Sequence, residues 1–259
     1  MKKTKLTSSI CLRIWSFAIL ALACSATSKA AVTIGYVGNT ATGYFVTSAV
    51  NPITLASTAT LVNTGEVSVG FFKNPTTSAF FAPSSSDWAT IKAGNVSNAW
   101  SALLALGYTD VRSVSGATLA ASFDPSFSTG GSPTTNIGMT IQNIPFASLP
   151  ANTRMYVLGF NAGAWNNTSK TATFGNATEF GVVSAFGHAT AAQNFLSPAD
   201  GGTMARNFKG AALTSADVLI GTLVSSANGT VAMIPEPSSA SLLALGVAGL
   251  VALRVRRKS

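Results

Sequence analysis

Runs in which apolar and polar residues alternate recur along the middle of the chain. In the run 67–72, Val67, Val69 and Phe71 fall on one face of an extended strand, and the residues between them fall on the other face. Prolines and paired glycines separate such runs, as turn-forming residues separate short strands. The other runs that predict strands are AVTIGYVG, YFVTSAV, TLVNTG, TNIGMTIQNI, RMYVLGFNA, TATFG, EFGVVSAF, DVLIGTLVSS and GTVAMI.

One stretch, DWATIKAGNVSNAWSALLALGYTD, instead has helical spacing. Its apolar positions are Trp88, Ile91, Trp100, Leu103 and Leu104. Asp87 and Asn95 suit helix N-caps and Gly107 suits a C-cap, so we predict one broken helix or two short helices. We expect them to pack on a sheet edge or across the end of a sandwich. Asp110 and Arg112 then open another short extended stretch.

Together these patterns predict a mainly β fold. We expect a β-sandwich or jelly-roll-like body with one or two short helices, because many short strands with frequent turns favour packed antiparallel sheets over a βαβ arrangement. Two further apolar runs predict an N-terminal signal helix and a C-terminal transmembrane helix. The predicted domains are a signal peptide at 1–30, a β-rich extracellular domain at 31–233 and a targeting segment at 234–259.

The N-terminus has the parts of a secretory signal peptide. Lysines cluster within the first five residues, and an apolar run, LRIWSFAILALAC, follows. Ser28 and Ala30 supply the small side chains that signal peptidase requires, which predicts cleavage between Ala30 and Ala31. An uncleaved membrane anchor and a lipoprotein acylated at Cys24 are the alternatives. The apolar run is short for a membrane span, which favours cleavage.

Both cysteines, Cys11 and Cys24, lie in this leader. The expected mature chain therefore has no disulfide, no thiolate metal ligand and no cysteine nucleophile. Roughly 200 residues are long enough to bury a substantial core, so packing alone can stabilise the body.

The distribution of charge argues against a nucleic-acid partner. Charged residues make up only 9% of the 259-residue chain, which is more typical of exported proteins than of cytosolic enzymes. The formal net charge of +8 would suggest nucleic acid or anionic lipid as a partner. However, the excess lies at the two ends, because acidic and basic residues are equal in number between Ala31 and Met233. A neutral body is a poor ligand for phosphates.

The C-terminus has three parts that together predict a membrane signal. Pro235 and Pro237 fix their own backbone angles and push Ile234 and Glu236 toward extended conformations. We therefore expect this segment to stay out of helix and sheet, so that a processing enzyme can bind it as a strand. The uncharged run 241–253 is slightly shorter than a typical span. The basic residues that follow resist translocation and predict a cytoplasmic tail, namely Arg254, Arg256, Arg257 and Lys258.

This order of parts resembles the PEP-CTERM sorting domain of exported bacterial proteins. The motif residues are Pro235, Glu236 and Pro237, and the resemblance covers only residues 234–259. It implies recognition by an exosortase, a membrane transpeptidase-like enzyme, during a transient anchoring in the inner membrane. It also implies release or transfer toward the cell surface or extracellular polymer of a Gram-negative bacterium. A plain tail anchor is the alternative on physical grounds alone.

The body contains few residues that commonly carry catalysis. His188 is its single histidine, and a triad with Ser184 or a distant Asp is conceivable. No G-x-S-x-G elbow surrounds any serine, so we expect no catalytic residue of this kind. Glu66 and Glu179 could supply the two carboxylates of a glycoside hydrolase only if the fold brought them together.

We expect no metal ion and no cofactor. Zinc needs three or four ligands, and the expected mature chain offers one histidine and no cysteine. The aspartates are dispersed without a D-x-D-x-D calcium loop, although a loop site at Asp124 or Asp200 is conceivable. The glycine-rich loops that bind phosphate are absent from the sequence.

Three functions remain for the body. We favour a structural or adhesive protein of the cell surface or extracellular matrix, without enzymatic activity. The first alternative is a carbohydrate-binding module for extracellular polysaccharide, in which Trp165 of the polar stretch NAGAWNNTS stacks on a sugar ring. For Trp165 itself we favour packing against the end of the sandwich. The second alternative is a hydrolase that uses two carboxylates facing each other in one cleft.

Overall fold

The computed structural model describes most of the body and the first residue of the Pro-Glu-Pro motif. The described residues are 31–38, 45–46, 66–94, 96–123, 137–166, 168–174, 177–227 and 229–235. The predicted signal helix and transmembrane helix lie outside these ranges. Neither helix found within them has the length and hydropathy that a membrane span requires.

Short strands dominate the described residues, as the sequence pattern predicts. In chain order they are β1 Ala31–Gly38, β2 Phe45–Val46, β3 Glu66–Phe72, β4 Tyr108–Asp110, β5 Thr118–Phe123, β6 Ile137–Pro145, β7 Tyr156–Phe160, β8 Ala164–Asn166, β9 Thr171–Thr173, β10 Glu179–Val183, β11 Thr203–Arg206, β12 Val218–Ile220, β13 Thr222–Ser225, β14 Thr230–Ala232 and β15 Ile234–Pro235. The stretch with helical spacing forms two short helices, α1 Ser85–Ala93 and α2 Val96–Leu106.

Most of the strands belong to two larger sheets. One has the order β11-β1-β6-β5, in which β1 pairs antiparallel with β6 and parallel with β11. The other, the central sheet, has the order β12-β10-β7-β3-β4, and β15 pairs with β10 on the edge that β12 also occupies. Two smaller sheets, β13-β14-β2 and the hairpin β8-β9, complete the described topology.

Alternation along the central sheet produces two cores, one on each face. In β3, Val67, Val69 and Phe71 contribute to the first core and Phe72 contributes to the second, as the alternation of this run predicts. The first core also contains apolar side chains of the other large sheet, namely Val32, Ile34, Ile141, Ile144 and Met204. The two sheets therefore pack face to face as a β-sandwich, which confirms the predicted fold class.

The ring of Phe45 in β2 lies in the first core against two glycines of the central sheet. Gly159 and Gly181 pair directly across β7 and β10, and the ring of Phe45 lies against both. A Cβ atom at either glycine would approach this ring more closely than van der Waals contact allows. Phe45 also packs edge-to-face on Phe208, with ring centroids 5.0 Å apart. The two glycines are thus required by packing rather than by backbone conformation.

The helices cover the outer face of the central sheet and enclose the second core. Trp88 and Ile91 of α1 and Leu103 of α2 are buried against this face together with Leu158 of β7. Phe72 packs edge-to-face on Trp88, with ring centroids 5.6 Å apart. The expectation that the helices lie on a sheet edge or sandwich end is therefore wrong. Because this face of the central sheet is apolar, it needs a layer to bury it.

The helix boundaries correct one predicted cap. The N-cap of α1 is Ser84, whose side chain accepts from the Asp87 N–H while the Asp87 carboxylate accepts from the Ser84 N–H at 2.8 Å. This is a capping box, so Asp87 is the third helical residue rather than the cap. Gly107 ends α2 as predicted, with φ of +102°. Asn95 lies outside the described residues.

Other strands differ from the predicted runs. DVLIGTLVSS divides at Gly221, where φ is +120°, into β12 and β13 of different sheets. The sequence pattern does not reveal β5, β8 or β11, which are short or carry few large apolar side chains. The predicted strand TLVNTG lies outside the described residues.

Candidate functional site

The last described strand leads from the body into the Pro-Glu-Pro motif. Met233 is buried in the first core, and the next two residues form β15. Ile234 pairs with Phe180, and Pro235 pairs with Glu179, antiparallel to β10. The Ile234 side chain also packs against the second core. The motif therefore begins within the central sheet, directly after the last core residue.

This pairing shows that the expectation of a segment outside helix and sheet is wrong for Pro235. Proline lacks a donor but keeps its carbonyl acceptor, so an edge position such as β15 can accommodate it. Glu236 and Pro237 lie outside the described residues, and their roles stay predictions. The same holds for the basic residues predicted to remain in the cytoplasm, Arg254, Arg256, Arg257 and Lys258.

The predicted leader cleavage point adjoins the first strand. Ala31 begins β1 and pairs with Pro145 of β6, whereas Ala30 lies outside the described residues. Val32 and Ile34 are fully buried, so β1 is an integral part of the sandwich. Cleavage after Ala30 would leave the whole of β1 in the mature chain; this cleavage stays a prediction.

Arg112 is buried at the edge of the central sheet between two carboxylates. Its Nη1 donates to Glu66 Oε1 at 2.6 Å, and its Nη2 donates to Asp110 Oδ2 at 2.7 Å. The Arg112 Nε and backbone N–H donate to Asp110 as well. Asp110 caps the 3₁₀ turn Val111–Ser113, and this turn returns the guanidinium to the carboxylate of Asp110. We refer to Glu66, Asp110 and Arg112 as the arginine centre.

The charge of Arg112 is compensated by carboxylates of the fold itself. Burial alone would lower the pKa of Arg112, but the charges and hydrogen bonds of Asp110 and Glu66 outweigh burial and raise it. Ser68 Oγ donates to Asp110 Oδ2 at 2.6 Å and lies 2.7 Å from the Tyr108 hydroxyl. Since Ser68 has a single proton to donate, the Tyr108 hydroxyl donates to it. Burial, with Asp110 nearby, raises the pKa of Tyr108 well above its usual value.

Trp165 packs on the arginine centre. The guanidinium carbon of Arg112 lies 4.0 Å from the centroid of the Trp165 ring, in cation–π contact. The indole Nε1 is buried and has no hydrogen-bond partner among the described residues. Trp165 belongs to β8 rather than to a loop. Because Arg112 covers one ring face, this Trp is part of the packing at the sheet edge.

The two glutamates considered for hydrolysis point to opposite faces of the central sheet. Glu66 pairs with Phe160, and Phe160 pairs with Phe180, so these three side chains share one face. Glu179 is adjacent to Phe180 and faces the other side. This pair does not provide two carboxylates in one cleft.

His188 has an acidic partner that is distant in sequence. Its Nε2 lies 2.9 Å from Oδ2 of Asp217, 29 residues further along the chain. Asn194 fixes the His188 backbone by accepting from its N–H and donating to its carbonyl. Ser184, the conceivable nucleophile, donates its hydroxyl proton to the Met155 carbonyl at 2.8 Å and is fully buried. The geometry gives a His–Asp pair, here called the histidine pair, without a serine poised on the imidazole.

Asp217 is anchored by backbone and side-chain donors. Its Oδ2 accepts from the Thr214 N–H at 2.7 Å and from the Thr214 hydroxyl at 2.8 Å. Its Oδ1 accepts from the Phe186 N–H at 3.3 Å. Burial would raise the pKa of Asp217, but the hydrogen bonds from Thr214, His188 and Phe186 together lower it. Asp217 is therefore a carboxylate that caps a turn and holds His188.

Phe186 is the exposed aromatic residue beside the histidine pair. Its side chain is 52% exposed. The guanidinium carbon of Arg154 lies 4.7 Å from its ring centroid, and Arg154 Nε donates to Ser184 Oγ at 2.8 Å. This arrangement presents an aromatic surface next to a fixed cation, a combination that can bind a sugar ring.

Metal ligands are not clustered in the part of the chain that the structure describes. No group of three or more His, Cys, Asp or Glu side chains there could hold a metal ion. Asp200 lies in an exposed turn, and Asp124 lies outside the described residues. The expected lack of a metal site and cofactor stays a prediction.

The tail provides the identification. The PEP-CTERM protein-sorting motif matches residues 234–258, from the first residue of β15 into the terminal basic cluster. The chain is therefore an exosortase substrate, an exported protein that is transiently anchored in the membrane. This match is confined to the tail, as the resemblance predicts. No curated protein and no solved structure matches the chain.

Proposed function

We propose that the body acts, after export, as a structural or adhesive component of the cell surface or extracellular polymer. The observation that carries this proposal is the use of its buried charges. Glu66 and Asp110 compensate the charge of Arg112 inside the fold, and Asp217 holds His188. These groups stabilise packing between strands and turns, which is what a passive scaffold requires. On this proposal the body has no enzymatic activity.

The architecture is also suited to a role outside the cell. Packing on both faces of the central sheet supports the body without disulfides, and both cysteines of the chain lie before Ala31. Between Ala31 and Met233 the acidic and basic residues balance. A body without net charge is not excluded from an anionic polymer by repulsion.

Fractionation of cells with and without the exosortase tests this function. We expect the mature protein in the surface or polymer fraction when exosortase is present, and in the inner membrane when it is absent. We also expect the surface form to resist a salt wash and to be released when the polysaccharide is hydrolysed. Accumulation as a free protein in the medium, without any association with surface or polymer, would contradict the structural role.

A second candidate is polysaccharide binding at Phe186. The half-exposed ring and the neighbouring Arg154 favour it, because an aromatic face and a fixed donor together suit a sugar ring. Trp165 is less suited to this role, since its side chain is less exposed than that of Phe186. Retardation of the protein in a gel containing the extracellular polysaccharide tests this candidate, and Phe186→Ala should abolish the retardation.

A further inference from the structure

The first two residues of the sorting motif are held by the body itself. Ile234 pairs with Phe180 and Pro235 pairs with Glu179, and both pairs lie within the central sheet. The Ile234 side chain packs against the second core, and the preceding Met233 is buried in the first. The motif match begins at residue 234, so recognition and folding use the same residues.

An enzyme that cuts or transfers a peptide commonly binds it as an extended strand, through its main-chain groups. In β15 the main-chain groups of one of the two residues face β10, because hydrogen-bonded and non-hydrogen-bonded pairs alternate along antiparallel strands, and the body stands directly beside them. A backbone group that is bonded to β10 is not free to pair with an enzyme at the same time. We propose that β15 must separate from β10 before exosortase acts, so that the folded body limits access to its own sorting motif. This inference rests on the exosortase processing stated above.

Separation of β15 requires little else to move. β15 has two residues, one of which is a proline without an N–H donor. The preceding strand β14 pairs with β13 and β2 and not with β10, so it can remain in place. The buried side chain of Met233 then marks the point where opening stops. Short edge segments of this kind belong to the part of a fold that opens most readily.

The length of the tail makes this separation a practical constraint. Six residues lead from Pro235 to Ser241, where the uncharged apolar run begins. Fully extended, they reach roughly 20 Å. The body must therefore lie close to the membrane surface while the exosortase binds the motif. At this distance the exosortase can reach the main chain of β15 only after β15 has separated from β10.

A disulfide between β10 and β15 tests the inference. Ile234 and Phe180 are directly opposite in antiparallel strands, a separation within the range of a disulfide. We expect the Ile234→Cys, Phe180→Cys variant of the full chain, expressed with its exosortase, to lose processing when oxidised. Addition of a reductant should restore processing in the same variant. C-terminal mass spectrometry measures the processed form.

Four further variants complete the experiment. Each single cysteine reports the effect of losing one side chain, which matters because Phe180 is buried. A matched disulfide at Ala164→Cys and Thr173→Cys joins two exposed, directly opposite residues of the β8-β9 hairpin and should leave processing unchanged. A flexible Gly-Ser spacer inserted between Met233 and Ile234 should speed processing, because it frees the motif from the sheet.

The outcomes separate the inference from the function on which it rests. If the oxidised variant with joined strands is processed at the wild-type rate, or if the spacer gives no acceleration, the inference is overturned and the sorting function stands. If the wild-type chain keeps its tail in the presence of exosortase, the sorting function itself fails. Loss of processing in the oxidised variant, with recovery on reduction, supports the inference.

Discussion

The arginine centre and the histidine pair are two charged clusters that connect different parts of the fold. In the arginine centre, Arg112 and Asp110 are almost completely buried, and the cluster joins β3 to β4. In the histidine pair the side chains are buried to a similar extent, but the pair joins two connecting segments. The charges of the arginine centre hold two neighbouring strands together, whereas those of the histidine pair fix local turns. This body therefore uses charge in two places, between strands and between connecting segments, with different consequences for stability.

The largest predicted effect comes from removing the cation of the arginine centre. Arg112→Met leaves Glu66 and Asp110 as uncompensated buried carboxylates and should lower the free energy of unfolding by about 3–5 kcal/mol. Urea unfolding of the mature protein measures this loss. Lys92→Met removes the same charge from an exposed site on α1 and should change stability by at most about 0.5 kcal/mol. Equal midpoints for the two variants would show that the arginine centre does not stabilise the sheet.

The histidine pair should contribute less. Asp217→Ala removes the acceptor for Thr214, Phe186 and His188, and we expect a loss of about 1–3 kcal/mol. Asp200→Ala, in an exposed turn, is the matched control and should lie within about 0.5 kcal/mol of wild type. A loss at Asp217 as large as that at Arg112 would erase the difference between the two clusters.

The aromatic neighbours of the two clusters should also differ in how much they stabilise the fold. Trp165→Ala removes a ring stacked on Arg112 and should cost about 1–2 kcal/mol. Phe186→Ala removes a half-exposed ring and should cost about 0.5 kcal/mol or less. In gel retardation by the polysaccharide we expect Phe186→Ala to have the larger effect and Trp165→Ala the smaller one. Retardation that is lost in Trp165→Ala and kept in Phe186→Ala would assign the sugar to the arginine centre instead.

The smallest predicted effect is on the pH dependence of stability in acid. The folded pKa of Asp217 lies below its unfolded value, so its contribution to stability is present above about pH 4 and is lost as pH falls through the lowered pKa. Asp217→Ala should therefore unfold with a shallower dependence on pH below about pH 4 than wild type. Asp87 titrates in the same direction in both proteins and cancels in the difference. Identical slopes would contradict the lowered pKa.

Local patterns predict those features that neighbouring residues determine. The run AVTIGYVG coincides with β1, and the alternation of 67–72 predicts how β3 divides its side chains between two cores. The sorting motif of the tail can likewise be predicted from the sequence, since its three parts are contiguous. The sequence also predicts Gly107 as the C-cap of α2, because a helix commonly ends at a residue with φ above zero and glycine adopts this conformation most readily.

Features that depend on distant residues are not predictable in this way. Glu66 is 46 residues from Arg112, and Asp217 is 29 residues from His188, so neither cluster is visible in the sequence. The pairing of Pro235 with β10 depends on an edge position that only the sheet order reveals. The position of the helices depends on which face of the central sheet is apolar and uncovered.

The mass of the mature protein from the surface fraction shows whether the tail sorts this protein. Leader cleavage predicts a chain that begins at Ala31, and sorting by the tail predicts that it ends near Pro235 only in cells that contain exosortase. A chain that retains the basic residues up to Lys258 in the inner membrane, whether or not exosortase is present, would contradict the account and leave an ordinary membrane anchor.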